Sequence, residues 1–319
     1  CLAGMEHVID PGAEELHTTV YVEEDLARVT ISCQLQPGEP FRFVKFMAYH
    51  WSSRQSPEFL RDQVTASLAN AVAEGWDGLL RDQRAYLDRF WERADVTIEG
   101  DPAVQQALRF ALFHLLQAGA RIEGRAIAAK GLTGPGYDGH AFWDTETFVL
   151  PWMTYVLPDV VRHALVWRHS ILDKARDRAK LLGLQGATLP WRTIHGEECS
   201  GYWPAGSAAL HINGDVADAV RRYLDASGDE AFGAQEGGEL LVETARLWIS
   251  AGCYDHDGNF RIDGVTGPDE YSALVDNNIF TNLGAQANLH AAADAVERHP
   301  ELAERMGVGP EELQRWRAA

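Results

Sequence analysis

Four segments of the chain concentrate side chains able to do chemistry. The densest is Gly264-Val265-Thr266-Gly267-Pro268-Asp269-Glu270-Tyr271, where two glycines and a proline stiffen a backbone that presents two carboxylates and a phenol. A glutamate held near apolar rings keeps its proton more tightly and can protonate a leaving oxygen, so Glu270 is a candidate general acid. Acids before a helix also cap its start and complement its dipole, and on spacing alone that reading of Asp269 and Glu270 leads.

The second segment is Gly139-His140-Ala141-Phe142-Trp143-Asp144-Thr145-Glu146. An aromatic ring beside an acid suits a sugar, because the indole of Trp143 covers C–H faces while the carboxylate of Asp144 accepts hydroxyl hydrogen bonds. A core tryptophan with a capping aspartate fits equally. The third segment runs from Pro190 to Asp215 and holds Trp191, His195, Glu197, Glu198, Tyr202, Trp203, His211, Asn213 and Asp215. Its histidines and acids do not match the HExxH spacing or a similar signature, so no metal is expected, and His211 reads equally as a wall histidine. The fourth, Asp276-Asn277-Asn278 with Thr281 and Asn282, reads first as helix-capping and loop-satisfying amides, and more sharply as a device that orients Glu270.

These segments need elements to hold them. Residues 18–35 cluster β-formers, and 41–49 carry two largely apolar period-two rows, a strand expected to be covered on both faces. Residues 1–52 therefore read as the last strands of a β domain. The period turns helical from Ser56-Pro57, giving helices over 57–74 and 77–94 with Gly75 as the stop between them. Asp101-Pro102 caps a third helix, whose Val104, Ala107, Leu108, Ala111, Leu112 and Leu115 predict burial along its length. Gly131–Gly139 is a loop. Further helices are expected over 143–156, 159–182, 214–227, 236–251 and 275–298, and from 310. Long, glycine- and tryptophan-rich connections favour a toroid of helical hairpins over a tight bundle.

Composition bounds the function. The 319 residues are 46% hydrophobic, as in a globular protein, with 28 Lys and Arg against 47 Asp and Glu, a formal charge of −19. Such a charge argues against nucleic-acid and anionic-membrane partners, though a few local donors can still hold a small anion. Cys1, Cys33, Cys199 and Cys253 form no CxxC pair, which favours a reducing cytoplasm over a disulfide scaffold. No apolar run is long enough for a membrane span, and no signal peptide is visible. The start at Cys1 leads straight into folded-looking sequence and is read as a truncation. GxSxG, Walker A and a dinucleotide fingerprint are absent.

Taken in order, the motifs resemble glycoside hydrolase family 65, the inverting α-glucoside phosphorylases. The resemblance runs through Phe90-Trp91, Ile98-Glu99-Gly100-Asp101, Arg109-Phe110, Ala129-Lys130-Gly131-Leu132-Thr133-Gly134, Gly139-His140 and Phe142-Trp143-Asp144-Thr145-Glu146. It continues through His211-Ile212-Asn213, Glu243-Thr244-Ala245-Arg246, Gly267-Pro268-Asp269-Glu270-Tyr271 and Asp276-Asn277-Asn278. It implies a mainly α chain: an incomplete (α/α)6 toroid over 101–319, preceded by the C-terminal strands of a β-sandwich over 1–52 and a two-helix linker over 53–100. It also implies Glu270 as general acid, and Trp143, Asp144, Trp191, His211, Asn213, Asp269 and Tyr202 as substrate-binding residues. Phosphate would be the nucleophile and β-glucose 1-phosphate the product, with no other cofactor and no metal.

The stretch Tyr202-Trp203-Pro204-Ala205-Gly206 resembles trehalose and kojibiose phosphorylases more than maltose phosphorylases, and Ser200–Tyr202 occupy the place of acceptor choice in the family. The resemblance further implies a homodimer. The chain ends at Ala319, before the family's Lys-Gln motif and phosphate-binding loop, so the expectation is a partial barrel that is inactive alone. Two alternatives stay open. One is an inverting α-glucoside hydrolase, whose second carboxylate would lie about 6.5–9.5 Å from the acid. The other is an inactive sugar-binding fragment.

Overall fold

The computed structural model describes residues 1–9, 14–38, 40–52, 55–119 and 124–319, in two compact units, Cys1–Arg93 and Ala94–Ala319. The expected boundary between residues 52 and 53 falls at the edge of a segment, 53–54, that lies outside the described residues.

In the first unit, β1 (Leu2–Ile9) pairs antiparallel with β4 (Phe43–His50), and β2 (Glu14–Val22) pairs antiparallel with β3 (Ala27–Gln34). Helix α1 (Pro57–Ala94) is one run broken at Gly75, whose φ of 66° and ψ of 175° only a residue without Cβ adopts at little cost. That break is the stop expected between two helices. Strand β1 lies close on α1: a Cβ at Gly4 would come 2.5 Å from Val64 Cγ1. Phe46, Leu60, Val64 and Phe90 are buried in this unit. The expectation that the 41–49 strand is covered on both faces is corrected. Phe46 is buried, but Phe43, Met47 and Tyr49 on the opposite row are exposed, so among the described residues β4 has one covered face.

The second unit is mainly helical. Asp101 Oδ1 accepts hydrogen bonds from Ala103 N and Val104 N at 3.0 and 3.1 Å and starts α2 (Pro102–Gly119). Burial along all of α2 is corrected: Val104 and Phe110 are exposed, and only Leu112, Leu116 and Gly119 are fully covered. Next come the short β5 (Ala141–Phe142), a π turn (Thr145–Val149) and α3 (Leu150–Val156). Pro151 has no N–H to continue an α ladder into that turn.

The single helix expected over 159–182 is two, α4 (Pro158–Ser170) and α5 (Leu172–Leu181). Ser170 Oγ donates to Trp167 O at 2.7 Å, occupying the carbonyl that Ile171 N–H would use. After β6 (Arg192–Thr193), which pairs with β5, come α6 (Trp203–Ala208), α7 (His211–Ser227) and the single turn α8 (Glu230–Phe232). They are followed by α9 (Gly238–Ala251), the hairpin of β7 (Cys253–Tyr254) and β8 (Phe260–Arg261), and α10 (Ile279–Arg298). Helices α11 (Pro300–Met306) and α12 (Pro310–Ala318) complete the described residues.

The helix expected over 143–156 is α-helical only from Leu150, and two further helix starts moved by three residues or more. Helix α7 begins at His211 rather than Gly214, so His211 and Asn213 lie in its first turn. Helix α10 begins at Ile279 rather than residue 275, because Val275 pairs with Val265, Asn277 takes a left-handed φ of 58°, and Asn278 Oδ1 caps Thr281 N at 3.1 Å.

The core lies where α7, α9 and α10 pack. Val216, Val220, Leu240, Leu241, Trp248, Leu289 and Ala292 are buried there. The helices cross without a gap because Gly214 faces Gly284: a Cβ on Gly214 would lie 3.1 Å from Gly284 Cα. One buried polar tie fixes the register of α9 on α10. Trp248 Nε1 donates to Asn288 Oδ1 at 2.9 Å, and Asn288 Nδ2 donates to Leu241 O at 3.1 Å.

Candidate functional site

The glycine pair brings the N-terminal ends of α7 and α10 together, and an aromatic cluster forms there. The His211 ring meets Trp143 edge-on at 4.8 Å and Phe280 at 5.6 Å, and Trp143 lies 5.6 Å from Phe148. His211 is buried and orients through Asp215, with Nδ1 and Oδ2 2.8 Å apart one helical turn away. Burial pushes the Asp215 carboxyl up from the ordinary carboxylate range, against the opposing effect of its hydrogen bond from His211.

Beneath Trp143 and Asp144 sits an ion pair that sequence reasoning missed. Arg168 Nε and Nη2 donate to Glu146 Oε1 and Oε2 at 2.8 and 2.9 Å, with the side chains 0% and 1% exposed. Arg168 Nη2 also donates to Phe142 O at 3.3 Å. The pair locks α4 to the π turn and so sets where Trp143 and Asp144 stand, the indole half-buried and the carboxylate exposed. A signal existed in the sequence: Arg168 shares the i, i+3, i+4, i+7 stripe of α4 with the buried Val161, Ala164 and Leu165. A charge on an apolar stripe requires a buried partner.

Trp191 joins this group from β6's side of the fold. Its ring packs edge-on against Phe142 at 5.0 Å, and its backbone N–H donates to Glu198 Oε2 at 2.6 Å. Tyr202 is exposed, and its backbone is held by Ser200 Oγ. Asn213 has a different place from the expected sugar contact. It is fully buried, its Oδ1 accepts from Leu189 N at 2.8 Å, and its Nδ2 donates to Leu210 O at 2.9 Å. Its amide is committed to the loop entering α7.

Glu270 lies on the loop that leads into α10. The base of that loop is closed by Val265 and Val275, each N–H donating to the other's carbonyl at 2.9 Å. Thr266 N donates to Ala208 O at 2.9 Å, tying the loop to the residues just before α7. Gly264 N donates to Asp276 Oδ1 at 2.9 Å. Neither acid caps a helix: Asp269 Oδ1 accepts from Tyr271 N at 3.1 Å in a local turn, and α10 is capped by Asn278. The apolar surround expected for Glu270 is also corrected, since Glu270 is exposed and the neighbouring Tyr271 is 100% exposed.

Of the histidines weighed as metal ligands, His211 has a ring partner and His195 is tied through its backbone carbonyl. His211 pairs with Asp215, and Lys174 Nζ donates to both His195 O and Glu197 Oε1. Among the described residues no group of three His, Cys, Asp or Glu is placed to hold a metal ion, and no helix is long and apolar enough to cross a membrane.

Residues 109–319 match the glycosyl hydrolase family 65 central catalytic domain, and residues 1–90 match the N-terminal domain of that family. An uncharacterized glycosyl hydrolase of Mycobacterium tuberculosis (strain ATCC 25618 / H37Rv) is 58% identical over 318 residues, covering 99% of this chain and 40% of that protein. An alpha,alpha-trehalose phosphorylase of Thermoanaerobacter brockii is 41% identical over 308 residues, covering 93% of this chain and 40% of that protein. A solved structure titled "Putative kojibiose phosphorylase from human microbiome" superposes with a TM-score of 0.85 at 25% identity, over 99% of this chain and 42% of that one. The chain thus spans about 40% of the length of these curated relatives.

Proposed function

The chain belongs to glycosyl hydrolase family 65, and on that premise we propose that the whole protein cleaves an α-glucosyl disaccharide by phosphorolysis, with Glu270 as general acid. Glu270 gives its proton to the glycosidic oxygen as the bond to the anomeric carbon breaks. Inorganic phosphate attacks that carbon from the opposite face and leaves as β-glucose 1-phosphate with inversion. Phosphate arrives as an anion, so the attack needs no general base. Trehalose or kojibiose is the favoured substrate, with maltose next, in keeping with the names of the relatives.

One observation carries the reading. The loop bearing Glu270 is tied through Thr266 to Ala208 and runs into α10 beside the Trp143–His211–Phe280 cluster. An exposed acid is thereby anchored at the end of the fold where an indole and the Asp144 carboxylate stand. Trp143 and Asp144 line the subsite of the transferred glucosyl unit. His211 backs the indole, Asn213 shapes the approach to α7, and Asp269 shapes the turn that presents Glu270. Trp191 and Tyr202 face the acceptor sugar. Four free cysteines suit a reducing cytoplasm, and a homodimer is the assembly expected of the family.

The test is turnover of a disaccharide panel by the whole protein with and without phosphate. Phosphate-dependent release of β-glucose 1-phosphate from trehalose or kojibiose is expected, falling about 10²–10⁴-fold in Glu270→Gln. Equal turnover without phosphate would overturn the reading in favour of hydrolysis.

A further inference from the structure

The chain between β6 and α6 folds back on itself around a single carboxylate. Glu198 Oε2 accepts from Trp191 N at 2.6 Å, and Glu198 Oε1 accepts from Ser200 N at 2.7 Å. One side chain thus holds both ends of the loop. A third tie closes it from the backbone, where Cys199 N donates to Arg192 O at 3.1 Å. The stem of Glu198 rests against α6 at Gly206, where an added Cβ would lie 3.2 Å from Glu198 Cγ. Arg178 Nη2 fixes that stretch of α6 by donating to Gly206 O at 2.7 Å.

The two ends face different parts of the site. Trp191 packs on Phe142, the residue before Trp143, while Ser200 Oγ accepts from Tyr202 N and donates to Tyr202 O. We propose that Glu198 is a positioning residue that couples the Ser200–Tyr202 loop to the Trp191–Phe142 edge, so that it governs how tightly the acceptor half of the substrate is held. This rests on the reading that Trp191 and Tyr202 face the acceptor.

The chemistry of the brace is specific to a carboxylate. An ionised carboxylate offers two acceptor oxygens, so it can take both backbone N–H groups in charge-assisted bonds. A glutamine amide keeps one acceptor and turns a donor toward the other N–H. An aspartate is one methylene too short to span both ends from the same backbone position. Glu197, the neighbouring acid, is exposed and bound to Lys174, and it makes neither of these bonds.

The experiment has two arms. Hydrogen exchange on the whole protein reads the brace itself: the Trp191 and Ser200 amides are protected in the wild type, exchange about tenfold faster or more in Glu198→Gln, and stay protected in Glu197→Gln. Steady-state kinetics on the whole protein read its consequence. Glu198→Gln is expected to raise KM for the disaccharide about tenfold while KM for phosphate stays within about twofold, with a matching weakening of glucose as acceptor in the reverse reaction. Unchanged exchange at both amides overturns the brace. Faster exchange with an unchanged disaccharide KM, or an equal rise in both KM values, overturns the link to the acceptor. If the wild type turns over disaccharide without phosphate, the phosphorolytic reading fails, and the disaccharide KM under hydrolysis still decides the role of Glu198.

Discussion

At the scale of the residue, exposure separates the proposed general acid from the groups that hold the fold. Glu270 is exposed on a pinned loop, so Glu270→Gln should alter stability by less than about 0.5 kcal/mol while lowering turnover by about 10²–10⁴-fold. Thermal melts of the two proteins check the first half of that expectation. Tyr223 shows the opposite behaviour. Burial, reinforced by the hydrogen bond it donates to Asp229 Oδ2 at 2.9 Å, pushes its phenol up to about 12 from an ordinary value of about 10. The folded state keeps the phenolic proton after the unfolded state has released it. Its stabilising contribution is therefore complete below about pH 10 and is lost as pH rises through about 12. The difference in denaturation midpoint between wild type and Tyr223→Phe should shrink across that window, and a constant difference would contradict it.

At the scale of the element, the site depends on one buried ion pair and one helix crossing. Arg168→Ala would leave the Glu146 carboxyl buried without its partner, at a cost of about 3–5 kcal/mol, whereas replacing both residues by apolar ones of similar volume should recover much of that loss. Urea titrations of the single and double variants make the comparison. Gly214→Ala pushes a methyl into the Gly284 backbone, so α7 and α10 must separate, at about 1–3 kcal/mol. The same shift draws His211 from Phe280, so near-ultraviolet circular dichroism of the aromatic cluster should fall with the stability. The elements themselves were largely legible. Asp101 announced its helix, Gly75 its break, and the apolar spacing of 236–251 a helix buried along Leu240, Leu241, Thr244, Ala245 and Trp248. Two of the misplaced boundaries share one cause: a side chain or strand-like pairing took a backbone partner that local periodicity had assigned to a helix. Ser170 did so at Trp167, and Val265 did so at Val275.

At the scale of the whole molecule, charge is the dominant property. A formal charge of −19 disfavours polyanions over the whole surface, yet the proposed reaction uses an anion, so its donors must be concentrated locally. With a pI near 5.0, the chain should be least soluble around pH 5 and regain solubility above pH 7 as carboxylates ionise, which turbidity across that range will show. The two compact units carry the two parts of the family match, residues 1–90 and 109–319.

The sequence by itself determined the kinds of element, most of their order and the family, because caps, breaks, periodicity and ordered motifs are written in neighbouring residues. The tertiary structure alone decided what the singled-out side chains do. Asn213 carries the polar amide of a ligand-binding residue and spends it on Leu189 N and Leu210 O. His211 is buried and paired with Asp215, and Glu270 is exposed rather than set among rings. Arg168 finds Glu146 across 22 residues, and Gly214 finds Gly284 on another helix. A residue's type bounds the bonds it can make, but burial and competition among partners brought together by folding select which bonds form.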